Sequence, residues 1–162
     1  MHDQARQWFI DTCSGFRPGA VLEIGGLNVN GGVKDVVPHV SWLSTDITAG
    51  PGVDLVTDAA TMTLGRVFDH VICAEVLEHT PVAAEIVANA FAHLGPGGTF
   101  VASMAGPGRA PHGQHGAGSP TGGEWYQNVT VDELTGWLTG AGFDVYEVDV
   151  LGLDLRCWAR RP

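Results

Sequence analysis

Two short, continuous apolar runs constrain this chain most: Val21-Leu22-Glu23-Ile24 and Val71-Ile72-Cys73, each bounded by polar or turn-forming residues. Such runs lack the alternation of a half-exposed strand and suit strands buried on both faces, as in a parallel sheet. Around them lie segments of a different period. Ala5, Trp8, Phe9 and Thr12 share one helical face, predicting an N-terminal helix over 1–15. Ala83, Ile86, Val87, Ala90, Phe91 and Leu94 form an i, i+3, i+4 stripe, opened by Thr80-Pro81 and closed by Gly95-Pro96. A third helix begins at the capping box Thr130–Glu133, carries Leu134, Trp137, Leu138 and Ala141, and stops at Gly142.

Strand-like segments fall at Ala20–Ile24, Val40–Thr45, Val53–Thr57, Val67–Cys73 and Thr99–Ser103, with a short helix expected over Gly32–Val37 before Pro38. Two final strands, Phe143–Val150 and Asp154–Arg160, are separated only by Leu151-Gly152-Leu153, too short for a parallel crossover, so they pair antiparallel. Alternation of this kind implies a three-layer α/β sheet with helices on both faces. At 162 residues the chain reads as a single domain, 1–162.

Composition narrows the function classes. Glycine fills 23 positions, about twice the usual share, with neither a collagen period nor the apolar poverty of disorder. A net charge of −10 with one lysine, Lys34, disfavours a nucleic-acid partner. Arg156, Arg160 and Arg161 read as a solvated strand end. Cys13, Cys73 and Cys157 are far apart and odd in number, so no disulfide framework or metal spacing follows and a reducing cytoplasmic compartment is expected. The start of the chain lacks a signal-peptide run, and no stretch is long and apolar enough for a membrane span.

In open α/β sheets ligands bind beyond the carboxyl ends of the strands. There the chain places Glu23-Ile24-Gly25-Gly26-Leu27-Asn28, then Asp46, then Asp58-Ala59, then Glu75 within the run Ala74–His79. An acid after a strand is often only a turn former or helix cap, but four at four successive strand ends would converge on one crevice. The dinucleotide fingerprint fails, since Leu27 and Asn30 stand where G-x-G-x-x-G needs glycines, which weakens a nicotinamide oxidoreductase reading. A crevice rich in carboxylates and poor in cations suits a nucleoside with a positive centre and no phosphate, as S-adenosylmethionine is.

The blocks Val21–Gly26, Phe68–His79, Leu94–Phe100 and Ala141–Phe143 resemble the class I S-adenosylmethionine-dependent methyltransferases, of the methyltransferase-11 type, over roughly residues 20–160. The resemblance implies a Rossmann-like sheet of seven strands, order 3-2-1-4-5-7-6, with strand 7 antiparallel. It implies that Glu23, Gly25 and Glu75 lie by the methionine part of the cofactor, that Gly26 and Asn28 are also cofactor-binding, and that Asp46 binds the ribose hydroxyls. Ile47 would then pack on the adenine, and Asp58, with Ala59, would take its amine. Leu27 and Asn28 depart from the usual glycine there; Asn28 and Asn30 tolerate left-handed backbone, which would keep the loop.

For methyl transfer the acceptor must be placed in line and, if it is a hydroxyl or amine, must lose a proton. His79 is the candidate base, or else a residue bracing the start of the next helix. His112 and His115 lie in the Gly/Pro-rich segment 104–128, expected to be an acceptor-side loop; Trp125 and Tyr126 either wall the pocket or pack beneath it. His2, His39, His70 and His93 read as surface or structural. The amino-methyltransferase tetrapeptide and the Pro-Cys nucleophile of nucleic-acid enzymes are missing. The expected activity is therefore methyl transfer to an oxygen or nitrogen of a small molecule, with a homodimer plausible; the alternative is a degenerate module that binds the cofactor or a partner protein without turnover.

Overall fold

The computed structural model describes residues 3–29, 31–114 and 118–162. It is an α/β fold built on one seven-stranded sheet, in the order β3-β2-β1-β4-β5-β7-β6. In chain order the elements are α1 (Asp3–Cys13), β1 (Gly19–Ile24), β2 (His39–Asp46), β3 (Leu55–Val56), β4 (Phe68–Ala74), a 3-10 turn (Leu77–His79), α2 (Ala83–Ala92), β5 (Leu94–Ala105), α3 (Val131–Ala141), β6 (Val145–Leu151) and β7 (Asp154–Arg160). β7 runs antiparallel to β5 and to β6, while the other pairs are parallel. The expected strand order and the reversed seventh strand are both present.

The period-2 register sorts β1, β4 and β5 between two cores. Leu22, Ile24, Val71, Cys73, Phe100 and Ala102 face α2 and α3, and Leu134 and Leu138 of α3 are fully buried against that side. Val21, Ile72 and Val101 face the opposite way, toward Phe9 and Cys13 of α1. The capping box of α3 forms as expected: the Glu133 amide donates to Thr130 Oγ1 at 3.2 Å while the Thr130 amide donates to Glu133 Oε2 at 2.9 Å. Gly142, at φ 106°, ends that helix in the left-handed region.

Several expected boundaries shift, each for a local reason. The predicted helix over Gly32–Val37 is only a turn, in which the amides of Val36 and Val37 both donate to the Val33 carbonyl. Pro38 leaves no room to continue it. Val33 and Val37 nevertheless bury themselves where a helix would pack. The third strand shrinks to two residues because Asp54 turns its carboxylate onto the Ser44 amide, 2.9 Å away, and so occupies a donor next to the ladder. Pro81 precedes α2 rather than opening it, with Thr80 Oγ1 accepting from the Val82 amide. Leu94 of the apolar stripe belongs to β5, where it pairs with Phe68. Phe143 leaves β6 and sits between Phe91 and Phe100, with ring centroids 5.0 and 5.9 Å away.

The arginines at the chain end are not a solvated group. Arg156 is buried, pairs with Asp154 Oδ2 at 3.2 Å and lies over the Trp8 ring. Arg161 donates to the carbonyls of Phe91 and Leu94, and only Arg160 remains exposed. The aliphatic stems of Arg156 and Arg161 are long enough for their guanidinium groups to reach buried carboxylate and carbonyl partners.

Candidate functional site

β1 sits between β2 and β4, so the chain leaves β1 to one side and returns on the other, and the loops after these strands part there. A cleft of about 680 Å³ opens at that point. It is lined by the ends of β1, β2 and β4, by the turn after β3 and by part of the segment after β5. All the cofactor-side residues singled out from the sequence line it: Glu23, Gly25, Gly26, Asn28, Asp46, Ile47, Asp58, Ala59 and Glu75, together with His79.

On the β1–β3 side every acid is held by groups close at hand. Glu23 Oε2 accepts from Trp42 Nε1 at 2.9 Å and from Ser44 Oγ at 2.8 Å, both on β2. The Asp46 carboxylate accepts the Leu27 amide at 3.1 Å and the Thr48 amide at 2.8 Å, which ties the loop after β1 to the end of β2. Asp58 Oδ1 accepts from the Ala60 amide at 2.8 Å, the turn-forming role open to any strand-end Asp. Ile47 lines the same cleft as an apolar side chain that is 71% exposed.

Gly25 and Gly26 are required by packing inside the protein. Gly25 has φ 79°, and a Cβ there would lie 2.1 Å from Val76 Cγ2; a Cβ on Gly26 would lie 1.7 Å from Ser44 Oγ. Their amides both donate to the Thr45 carbonyl. Asn28 does not use left-handed backbone, since Glu75 is the one non-glycine residue with positive φ among the described residues. The loop is closed instead by Asn28 Oδ1 accepting the Gly31 amide at 2.9 Å, with Gly31 taking φ 90°. Asn30 lies outside the described residues.

The β4–β5 side is built from distant parts of the chain. Glu75, at φ 57°, accepts from Ser103 Oγ at 2.9 Å and from Arg109 at 2.8 Å. Arg109 also donates to Asp154 Oδ1 at 2.7 Å, so one guanidinium joins the end of β4 to the start of β7. Glu78, on the 3-10 turn, is fully buried; its Oε1 accepts from the Ala105 amide at 3.0 Å and its Oε2 has no hydrogen-bond partner. Burial, reinforced by the Glu75 carboxylate, pushes the Glu78 carboxyl up to about 8. Burial, reinforced by His112, pushes His79 down to about 4, which leaves its imidazole neutral at pH 7.

The described residues between β5 and α3 dock on this turn without forming a helix or strand. The Gln127 amide donates to the Glu78 carbonyl and the Val129 amide to the Ala105 carbonyl, each at 2.9 Å. His79, His112 and Tyr126 meet edge to face, with ring centroids 4.9 to 5.5 Å apart. Trp125 remains 44% exposed beside them. His115, the other candidate from this segment, lies outside the described residues, as does His2. No metal-ligand spacing was visible in the sequence, yet the fold gathers Glu78, His79 and His112, with a donor atom of each within 4.8 Å of the others.

Arg109 and Glu78 are the functional-site residues that sequence reasoning passed over. A lone cation in a Gly/Pro-rich segment was the only signal for the first, and nothing in the sequence marks the burial of the second. The remaining histidines are structural: His70 is held by Thr99 Oγ1 and the Arg17 carbonyl, and His93 by the Leu64 amide and the Asn89 carbonyl. His39 Nδ1 meets the Val37 carbonyl. The three cysteines are buried and unpaired, with burial pushing Cys13 and Cys157 up to about 12 and Cys73 up as well, so none offers a thiolate. No helix among the described residues is long and apolar enough to cross a membrane.

Comparison with known proteins fits this geometry. No curated protein matches the chain. Solved structures with the same fold include 1,6-didemethyltoxoflavin-N1-methyltransferase of Burkholderia thailandensis, with its substrate and S-adenosylhomocysteine bound (18% identity, 97% of this chain and 78% of that one, TM-score 0.69). The N-methyltransferase NodS of Bradyrhizobium japonicum, with S-adenosylhomocysteine, is similar at 14% identity over 98% and 86% of the two chains, TM-score 0.69. The amino pentose methyltransferase CalS10 of Micromonospora echinaspora, with S-adenosylmethionine, is similar at 20% identity over 98% and 91%, TM-score 0.64. A family model described as a methyltransferase domain matches residues 5–148, and the chain therefore belongs to this family of class I methyltransferases, whose cofactor is S-adenosylmethionine.

Proposed function

We propose that the protein transfers a methyl group from S-adenosylmethionine to an oxygen or nitrogen of a small molecule. The observation that carries this is the composition of the cleft: carboxylates from Glu23, Asp46, Asp58 and Glu75 line it, and its one arginine, Arg109, is already bound to Glu75 and Asp154. Such a donor set has no group for a phosphate and fits a ligand carrying a diol, amines and a positive sulfur. Two of the similar structures named above are a 1,6-didemethyltoxoflavin-N1-methyltransferase and an amino pentose methyltransferase, which supports a small-molecule acceptor.

In this reading Asp46 holds the ribose hydroxyls, its two bonds to the Leu27 and Thr48 amides fixing the carboxylate before the ligand arrives. Ile47 covers the adenine, and Asp58 with Ala59 receives the adenine amine. Glu23, Gly25, Gly26, Asn28 and Glu75 surround the methionine end; Glu23 acts there as a pinned wall, since Trp42 and Ser44 already use its Oε2. Bound S-adenosylmethionine supplies a methyl group activated by its sulfonium sulfur.

The protein then aligns the acceptor and takes its proton. His79 lines the cleft, is neutral at pH 7, and is the base of this proposal. Burial of the three thiols suits a reducing, cytoplasmic setting. Calorimetry with S-adenosylmethionine and S-adenosylhomocysteine, followed by transfer of labelled methyl to a panel of amines and hydroxy compounds, tests the reading. Binding with product formation is expected. Failure to bind either ligand at about 1 mM, a concentration at which even a ligand bound by only about −4.1 kcal/mol would register, overturns it.

A further inference from the structure

We infer that Glu78, His79 and His112 form a binding site for a divalent transition-metal ion, with its open coordination position toward the acceptor side of the cleft. The three donors come from the 3-10 turn after β4 and from the segment after β5, and lie within 4.8 Å of one another. His79 and His112 line the cleft, whereas Glu78 is fully buried and absent from its lining, so it forms the back of the set.

Two atoms of this cluster are left without partners in the interior, Glu78 Oε2 and His79 Nδ1. A buried carboxylate oxygen and a buried imidazole nitrogen without hydrogen bonds each cost free energy. Glu78 once ionised and His79 in its Nε2–H tautomer each present a lone pair, and a cation held by the set satisfies what no neighbouring N–H group does. His112 is already oriented for the part. Its Nδ1 meets the Ala110 carbonyl at 3.3 Å, an N–H donation that leaves the lone pair on Nε2, and Nε2 is the atom 4.0 Å from Glu78 Oε1. A backbone carbonyl on the other ring nitrogen is how metal-binding histidines are commonly held. The edge-on Tyr126 ring touches both imidazoles and limits their rotation.

Two donors on a tetrahedral metal at about 2.1 Å are about 3.4 Å apart. The His112–Glu78 pair, at 4.0 Å, therefore has to close by about 0.6 Å and any wider pair of the set by up to about 1.4 Å, which side-chain rotation on metal binding has to supply. Two imidazoles and one carboxylate suit Zn²⁺, Co²⁺ or Fe²⁺, and are a poor set for Mg²⁺ or Ca²⁺, which take oxygen ligands. Three protein ligands leave at least one position open, where a water or an acceptor hydroxyl binds and is more easily deprotonated. Metal binding and the base role of His79 exclude each other, because both use the same imidazole. The donor set is complete without the cofactor, so the site stands whether or not the proposed methyl transfer does.

Titration of the full chain, freed of metal by chelator and dialysis, tests the site. Co²⁺ is added while the visible d–d absorption is followed, and Zn²⁺ is titrated by calorimetry. One ion per chain is expected, with Zn²⁺ displacing Co²⁺. His112→Asn, on a segment outside the helices and strands, should weaken both by more than about tenfold, and Glu78→Gln should do the same, with circular dichroism checking each fold. Absence of a Co²⁺ band and of Zn²⁺ heat overturns the assignment. So does unchanged affinity in a folded His112→Asn, or Mg²⁺ binding as tightly as Zn²⁺. Should Glu78→Gln fail to fold, His112→Asn decides the question alone.

Discussion

The two banks of the cleft are made by different means. On the β1–β3 bank, Glu23, Asp46 and Asp58 are satisfied by groups from the same or the neighbouring strand end, chiefly amides and the side chains of Trp42 and Ser44. On the β4–β5 bank, Glu75 is bent into left-handed backbone, Glu78 is buried with one oxygen unpartnered, and a single arginine from the segment after β5 joins Glu75 to Asp154. The first bank is preorganised by local geometry and has little polar strain to release. The second keeps charges that need a long-range partner, a proton or a ligand. Recognition of a constant cofactor suits the first, and chemistry on a variable acceptor suits the second.

Substitutions should break the two banks differently, and the largest loss is expected at Arg109. Arg109→Met leaves Glu75 and Asp154 without their shared cation, and should lower stability by about 3 kcal/mol as read by urea unfolding. A loss under about 0.5 kcal/mol would mean that the arginine is screened there like a surface charge.

Gly26→Ala challenges the other bank, where the new methyl meets Ser44 Oγ. About 1–3 kcal/mol of overpacking is expected, and Ser44→Ala in the same chain should recover part of it in a double-mutant cycle. Additivity of the two substitutions would contradict the packing account.

The buried acid predicts a pH dependence. Glu78 has a folded pKa raised from 4.5 to about 8, so folding favours its protonated form. That contribution is complete below pH 4.5 and is lost as pH rises through 8. His79, lowered from 6.5 to about 4, acts in the opposite sense: its contribution is present above pH 6.5 and is lost as pH falls through 4. In the metal-free protein, thermal midpoints should therefore decline from about pH 6 to about pH 8, and Glu78→Gln should flatten that decline. An unchanged slope in the variant would move the titration to another group.

The smallest effect on stability is expected at Ile47. Being 71% exposed, Ile47→Ala should change unfolding by no more than about 0.5 kcal/mol. Cofactor affinity should nevertheless fall about fivefold, the equivalent of roughly 1 kcal/mol of lost apolar contact. Equal affinity would remove Ile47 from the binding surface.

The same contrast explains what could be read in advance. The β1–β3 bank lies within successive strand–turn units, the bonds to its carboxylates spanning no more than 21 residues. Strand, turn and acid follow one another, so Glu23, Gly25, Asp46 and Asp58 could be set on one crevice from apolar runs and spacing alone. The β4–β5 bank depends on contacts 27 to 45 residues apart, such as the Ala105 amide on Glu78 and Arg109 on Asp154, and no periodicity encodes them. The same limit hid the burial of Arg156 behind Trp8. Boundary errors had local causes, with Pro38 cutting a helix to one turn and Asp54 shortening β3.

The central claim is that the preorganised bank holds S-adenosylmethionine, and Asp46 bears most of it. The direct measurement is calorimetric titration of S-adenosylhomocysteine into the wild-type chain and into Asp46→Ala, with unfolding curves confirming that the variant is folded. Loss of the carboxylate proposed to grip both ribose hydroxyls should weaken binding by about 100-fold, from two charge-assisted hydrogen bonds of about 1.5 kcal/mol each. Equal affinity in the two proteins, or no binding by the wild type, would contradict the account.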